Sequence, residues 1–302
     1  MFHVGQGKQS ESGRKTAFIL CFSITAGLLI WPAWVRAQEQ PAAGGQGLSC
    51  SEMEDFLREA KIGKQSDIPR GVTVPKKATL SDGKITHDGA IQAIDEVKRS
   101  FQTAHGTELN FKDTYKFNIA AYELAKMLEL NMVPPYVERK VGGKSASLSW
   151  WVNDAMLEVD RYKNKIQPPD LDSWNKQMYA VRVFHELVRD TDPNLTNILI
   201  TKDWQIWVID LSRAFRLQKD VENPKNLVMI DRKLLTRLRE LNKEDLQQKL
   251  GKWLTKSEVE GVASRAQKIV QFFDKQIADK GEGAVVYDFP RTSEPCGKGL
   301  PI

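Results

Sequence analysis

The segment Arg189–Phe215 gathers residue types that can do chemistry together. Asp192 and Asn197 stand in the spacing Asp-x-x-x-x-Asn, and Asp210 follows after two short apolar runs. Those runs, Asn197–Ile200 and Ile206–Ile209, are separated by the polar stretch Thr201–Gln205. The pattern predicts an antiparallel hairpin centred between Asp203 and Trp204, with Asn197 facing Asp210. Facing residues in such a pair have Cα atoms about 4.5–5.5 Å apart. One amide oxygen and one carboxylate then converge at the open end of the hairpin. Hard divalent cations prefer such oxygen ligands, and Mg²⁺ keeps positions free for phosphate. Asp192, in the loop leading in, is placed to take a proton from an attacking hydroxyl. Taken singly, each of these residues serves equally well as a turn former that satisfies backbone groups.

A scaffold must bring the three together, and the flanking sequence supplies candidate elements. Arg70–Asp95 has strand character, with a turn at Ser81-Asp82-Gly83. Asp113–Leu130 reads as a helix whose apolar stripe is Phe117, Ala121, Leu124 and Leu128, stopped by Pro134-Pro135. Val137–Lys140 and Ala146–Val152 form a second hairpin about Gly142-Gly143. Asp172–Arg189 reads as a helix with Trp174, Met178, Val181, Phe184 and Val188 on one face. Asp231–Asp279 is helical, broken near Asn242 and at the capping-box pattern Thr255–Glu258. Residues after Gly281 read as loop. The whole is an α+β chain, strand-rich first and helical second.

The motif T-D-P-N-L-T-N-I-L-I (191–200) with W-V-I-D-L-S-R-A-F (207–215) resembles the phosphatidylinositol 3-/4-kinase-like and HipA-like branch of the kinase fold. The patch N-I-A-A-Y-E-L-A-K-M-L-E-L-N-M-V-P-P (118–135) resembles the N-lobe helix and following strand of the same group. The resemblance spans residues 55–275. It implies a two-lobed protein-kinase-like fold, with a small strand-rich N-lobe at 55–152 and a larger helical C-lobe at 153–280. It also implies ATP or another nucleotide, Mg²⁺ or Mn²⁺, and an acceptor that the sequence does not identify. By position, Asp192 is the catalytic base, Asn197 and Asp210 are the metal ligands, and Trp151-Val152 form the hinge that holds the base.

The N-lobe departs from that pattern. Where a phosphate-binding lysine is expected the sequence has Gln92, and where its helix glutamate is expected it has Asn118. Lys77, or else Lys76 or Lys98, is then the candidate cation. Gly71, near Pro69, is all that a phosphate-binding loop would have. The leading expectation is an exported kinase-like phosphotransferase. The alternative is a catalytically weak or inactive pseudokinase that binds nucleotide or a protein partner.

Export is read from the N-terminus. Arg14-Lys15 precede an apolar run to Val35, and Val35-Arg36-Ala37 offers small residues at a cleavage site. Residues 1–37 are therefore a signal peptide, or else an uncleaved membrane anchor, and 38–54 a linker. After cleavage no membrane span is expected, and the protein is periplasmic or secreted. More than half of the formal net charge of +5 lies in that leader, so the near-neutral body excludes a general nucleic-acid binder. Cys50 and Cys296 remain after cleavage, either paired as a disulfide or as two free thiols. Residues 281–302 form a C-terminal tail. Asn194-Leu195-Thr196 is also a glycosylation sequon, which here reads as coincidental.

Overall fold

The computed structural model describes residues 47–68, 75–103 and 106–289. The expected signal peptide, most of the linker, Pro69, Gly71 and Cys296 lie outside the described residues.

The chain opens with helix α1 (Cys50–Glu59), capped by a reciprocal Ser49–Glu52 capping box. Five residues of the expected linker are therefore helical. The cause is amphipathic: Met53, Phe56 and Leu57 are buried against the sheet that follows. Cys50 is disulfide-bonded.

That sheet has five strands in the order β1-β2-β3-β7-β6, all neighbours antiparallel. They are β1 (Lys61–Asp67), β2 (Lys76–Ser81), β3 (Thr86–Gln92), β6 (Tyr136–Val141) and β7 (Lys144–Trp150). Both expected hairpins form. At the first, Asp82 accepts the backbone N–H groups of Lys84 and Ile85 at 2.8 and 2.7 Å. At the second, Gly142 and Gly143 both have positive φ, the requirement of a two-residue type I′ turn. After β3 the chain makes a two-stranded ribbon, β4 (Asp95–Thr103) and β5 (Gly106–Thr114), which pattern reading did not find. Its strands are mostly polar and charged and present no alternating apolar face.

Helix α2 (Tyr115–Met127) is capped by Thr114 and carries the expected stripe. It packs chiefly into the larger, C-terminal core, together with α4 (Leu171–Val188), α5 (Arg232–Glu240), α6 (Lys243–Leu250) and α7 (Lys256–Lys280). Short strand β8 (Met156–Leu157) and helix α3 (Glu158–Lys163) follow the hinge, and β8 pairs with β9 (Ile198–Ile200), which pairs with β10 (Ile206–Val208). Trp207 of β10 is fully buried in the N-terminal core, so the hairpin is pinned from above as well as below. The expected loop after Gly281 instead contains strand β12 (Val286–Tyr287), parallel to β11 (Ile230–Asp231).

Candidate active site

The hairpin that carries the site exists, with its register one residue from expectation. Ile200 faces Ile206 and Ile198 faces Val208, so Asn197 lies opposite Ile209 and not Asp210. The reason is the loop. Trp204 adopts φ 63 and donates its N–H to Thr201 O at 2.9 Å, which makes a three-residue loop centred on Asp203. An odd loop shifts the pairing centre from between residues onto one.

The backbone then returns Asp210 to Asn197 by another route. Asp210 itself has φ 53, a left-handed conformation unfavourable for a residue with a Cβ. Three neutral groups hold the turn. Asn197 Nδ2 donates to Asp210 O at 3.4 Å and to Asp192 O at 3.2 Å. Asn118 Oδ1 accepts the Leu211 N–H at 2.7 Å, and the Tyr136 hydroxyl meets the Asp210 backbone. With both N–H directions of Asn197 committed to carbonyls, its amide oxygen keeps only a 3.4 Å contact from the Thr196 hydroxyl. Asp192, Asn197 and Asp210 are thus brought into one hydrogen-bonded loop.

Gln92 and Asn118 meet as the sequence alignment placed them. Asn118 Nδ2 donates to Gln92 Oε1, and Gln92 Nε2 donates to Asp210 Oδ1 at 2.9 Å. The relay is directional, because each amide has its oxygen and nitrogen ends fixed by its neighbour. It carries no charge.

The carboxylates are crowded. Burial pushes the Asp210 carboxyl up, the repulsion of Asp190 and Asp192 adds to that, and the hydrogen bonds from Gln92 and Ser212 only partly offset it. Asp113, buried at the end of β5, is likewise raised by burial, with Asp210 contributing, and its Oδ1 has no hydrogen-bond partner. A cation beside Asp210 would relieve this repulsion, so the donor set fits a hard divalent ion. Asp192 is the accessible member: its side chain is 46% exposed, 3.7 Å from Arg213 Nη1. Its backbone is set by Asp190, which accepts the Asp192 N–H at 3.0 Å and lies against His185 Nδ1 at 3.0 Å.

A cavity of about 410 Å³ opens between β3, the hinge and the hairpin. Ala90, Trp151, Val152, Leu199 and Ile209 give it apolar walls, and Gln92 and Asp210 lie at its polar end. Gln92, Trp151 and Val152 therefore line it as expected. Lys77 does not: register sets it opposite Ala90, on the cavity face of the sheet, but its ammonium is held 2.8 Å from Asp88 and 4.4 Å over the Trp151 ring. Lys98 is bound to Glu96 on the ribbon, 2.6 Å away. Tyr136, which joins β6 to the Asp210 backbone and lines the cavity, was not singled out from sequence; its only signal is the position just after Pro134-Pro135.

On the Asp192 side of the loop lies a second, open cavity of about 1200 Å³, roofed by the ribbon and walled by Arg189, Arg213 and Arg216.

Two lobes, a five-stranded sheet and a helical base, with the cavity between them and an Asp-bearing hairpin below, define a kinase-like α+β fold. The comparisons agree. Hydra Fam20, solved with sugar, superposes with a TM-score of 0.58 at 13% identity, over 79% of this chain and 92% of its own. The Golgi casein kinase gives 0.56 at 11% identity, over 80% of this chain and 79% of its own. The same kinase with Mn/ADP bound gives 0.55 at 12% identity, over 80% of both chains. No family model and no curated protein matches the chain by sequence. Among the described residues no helix is long and apolar enough to cross a membrane.

Proposed function

We propose that this chain is an exported, nucleotide-dependent phosphotransferase acting on an acceptor hydroxyl. The observation that carries the reading is the hydrogen-bonded loop that joins Asp192, Asn197 and Asp210, with Asp210 at the polar end of a mostly apolar cavity of about 410 Å³ and Asp192 facing the open cavity on its other side. In this reading the base lies against Trp151 and Val152. Asp210 and the amide oxygen of Asn197 would hold Mg²⁺ or Mn²⁺, which would supply positive charge to the phosphates during transfer. Asp192, the exposed carboxylate, accepts the acceptor's proton. The finer affinity to the phosphatidylinositol 3-/4-kinase-like and HipA-like branch rests on the motifs at 191–200 and 207–215.

A second reading has its own observation. The Gln92–Asn118 pair is neutral where kinases generally use an ion pair, which favours a pseudokinase that binds nucleotide without turnover. One experiment orders these readings. Mg-ATP is expected to stabilise the wild-type chain thermally, and Asp210→Asn to abolish that stabilisation while leaving the melting temperature without ligand within a few degrees. Equal stabilisation of both proteins would contradict the metal assignment. Phosphate release from bound ATP separates the active enzyme from the pseudokinase.

A further inference from the structure

Beyond Asp210 the chain from Leu211 to Leu227 has little regular structure, with a single short 3₁₀ turn at Pro224–Asn226. It is nevertheless held by buried charged side chains that act on its main chain. Arg265 of α7 is fully buried. Its Nε donates to Leu187 O at 2.7 Å, and its Nη1 donates to Arg216 O at 2.9 Å and to Gln218 O. Burial lowers its pKa to about 9, which leaves it charged at neutral pH. Gly261, one turn earlier, makes room: a Cβ there would lie 2.9 Å from Arg265 Nη1 and 3.1 Å from Arg216 O.

From the other side, buried Glu186 of α4 accepts the N–H groups of Glu222 and Asn223, both at 3.1 Å, and Asn226 Nδ2 at 2.8 Å. Arg189, at the C-terminal end of the same helix, pairs with Glu222 at 3.0 Å. One cation thus holds the carbonyls of segment 216–226 and one anion holds its N–H groups, each from a helix of the C-terminal core. Where such segments are switchable, a phosphate added to the segment orders it by pairing with arginine. Here the chain's own Glu222 occupies the arginine, and the buried pair holds the main chain on both sides of it.

We propose that Arg265 and Glu186 are positioning residues that keep segment 216–226 permanently docked, so that the chain is competent without any activating modification. The proposal rests on the phosphotransferase reading above. The segment contributes Leu217, Gln218 and Glu222 to the open cavity beside Asp192, so its position shapes the side from which an acceptor approaches.

The test uses the full chain made by cell-free synthesis and shown unmodified by mass spectrometry. Trypsin cleavage after Lys219 and Lys225 reports docking, calorimetry with Mg-ATP reports the nucleotide site, and ATP hydrolysis with water as acceptor reports turnover. The unmodified wild type is expected to resist cleavage in 216–226 and to turn over. Glu186→Gln, which keeps volume and removes charge, is expected to speed cleavage at least tenfold and lower kcat about tenfold. Its nucleotide affinity should stay within twofold of wild type. Arg265→Met should do the same, with partial recovery in Arg265→Lys; if the Met variant does not fold, Glu186→Gln alone decides. Unchanged cleavage in Glu186→Gln overturns the positioning role. Activity that is lost on phosphatase treatment, or gained on phosphorylation of the segment, overturns constitutive competence. A wild type that resists cleavage but binds no nucleotide refutes the phosphotransferase reading and leaves the docking device standing.

Discussion

The two cavities on either side of the Asp192–Asp210 loop are lined by different chemistry. Among the described residues, the hinge-side cavity has only Asp154 and Asp210 as charged side chains in its lining. The other is walled by Arg189, Arg213, Arg216, Lys98, Arg99 and Lys112, set against Glu108, Asp192, Glu222 and Glu258. Even the relay that reaches Asp210 from the sheet, Asn118 to Gln92, is built of amides. Within a kinase-like fold this division is informative. On the phosphotransferase reading, the N-terminal sheet would supply shape and apolar contact for a base, and the charge of a polyphosphate would be met by a metal ion and by the second side. Removing charge from the second side should then cost most, and adding charge to the first should be a gain.

The largest effect is expected at Asp192. Asp192→Asn keeps the side-chain volume and the exposed position but removes the proton acceptor. Turnover should fall about 10²–10⁴-fold while Mg-ATP affinity stays unchanged. Single-turnover kinetics beside calorimetry check this, and equal turnover would make Asp192 a turn residue only.

A smaller and opposite effect tests the neutral relay. Gln92→Lys with Asn118→Glu installs a charged pair at the polar end of the cavity. Nucleotide affinity should rise about tenfold, about 1.4 kcal/mol. Asn118→Glu alone should lower affinity, because its buried carboxylate lies near Asp210 with no cation beside it. A double variant that binds no better than wild type would mean that the phosphates do not approach Gln92.

The smallest effect concerns the hinge. His87 is buried on β3, stacked on Trp150 with ring centroids 3.8 Å apart, and its Nε2 lies 2.9 Å from Trp151 O. Burial holds its pKa below the ordinary value of 6.5. The unfolded chain therefore binds the proton first as pH falls. Stability is full above about pH 6.5 and declines between there and the lowered folded value. The melting temperature should drop over that window, and His87→Gln should flatten the profile. An unchanged slope in the variant would assign it to another group.

The residues differ in how legible they were, for physical reasons. That Asp192, Asn197 and Asp210 share one loop could be anticipated because the motif sets both residue types and spacing. Gln92 and Asn118 could be placed because Ala90-Ile91-Gln92 matches the expected lysine context and the helix that carries Asn118 has a clear apolar stripe. The hairpin register was missed by one residue because a left-handed Trp204 has no strong sequence signal. The ribbon β4–β5 was missed because Val97 and Leu109 are exposed and its strands bury little, so there is no period-2 pattern to read. Helix α1 was hidden behind a Gln-, Gly- and Pro-rich stretch. The pairing of Lys77 with Asp88 could not be read, because a lysine on a strand shows its spacing but not its partner, and Asp88 becomes its neighbour only through the pairing of β2 with β3.

The parallel pair β11–β12 has a consequence for the order in which the molecule can be assembled. Tyr287 donates its hydroxyl to Lys176 O of α4, and the Phe289 N–H bonds to Asp231, the residue that caps α5. Val285 O accepts the N–H of Ile230, which is fully buried. This strand, the nearest to the C-terminus among the described residues, thus closes against segments more than fifty residues earlier in the chain. Until it is in place, α4 and α5 lack part of their cover.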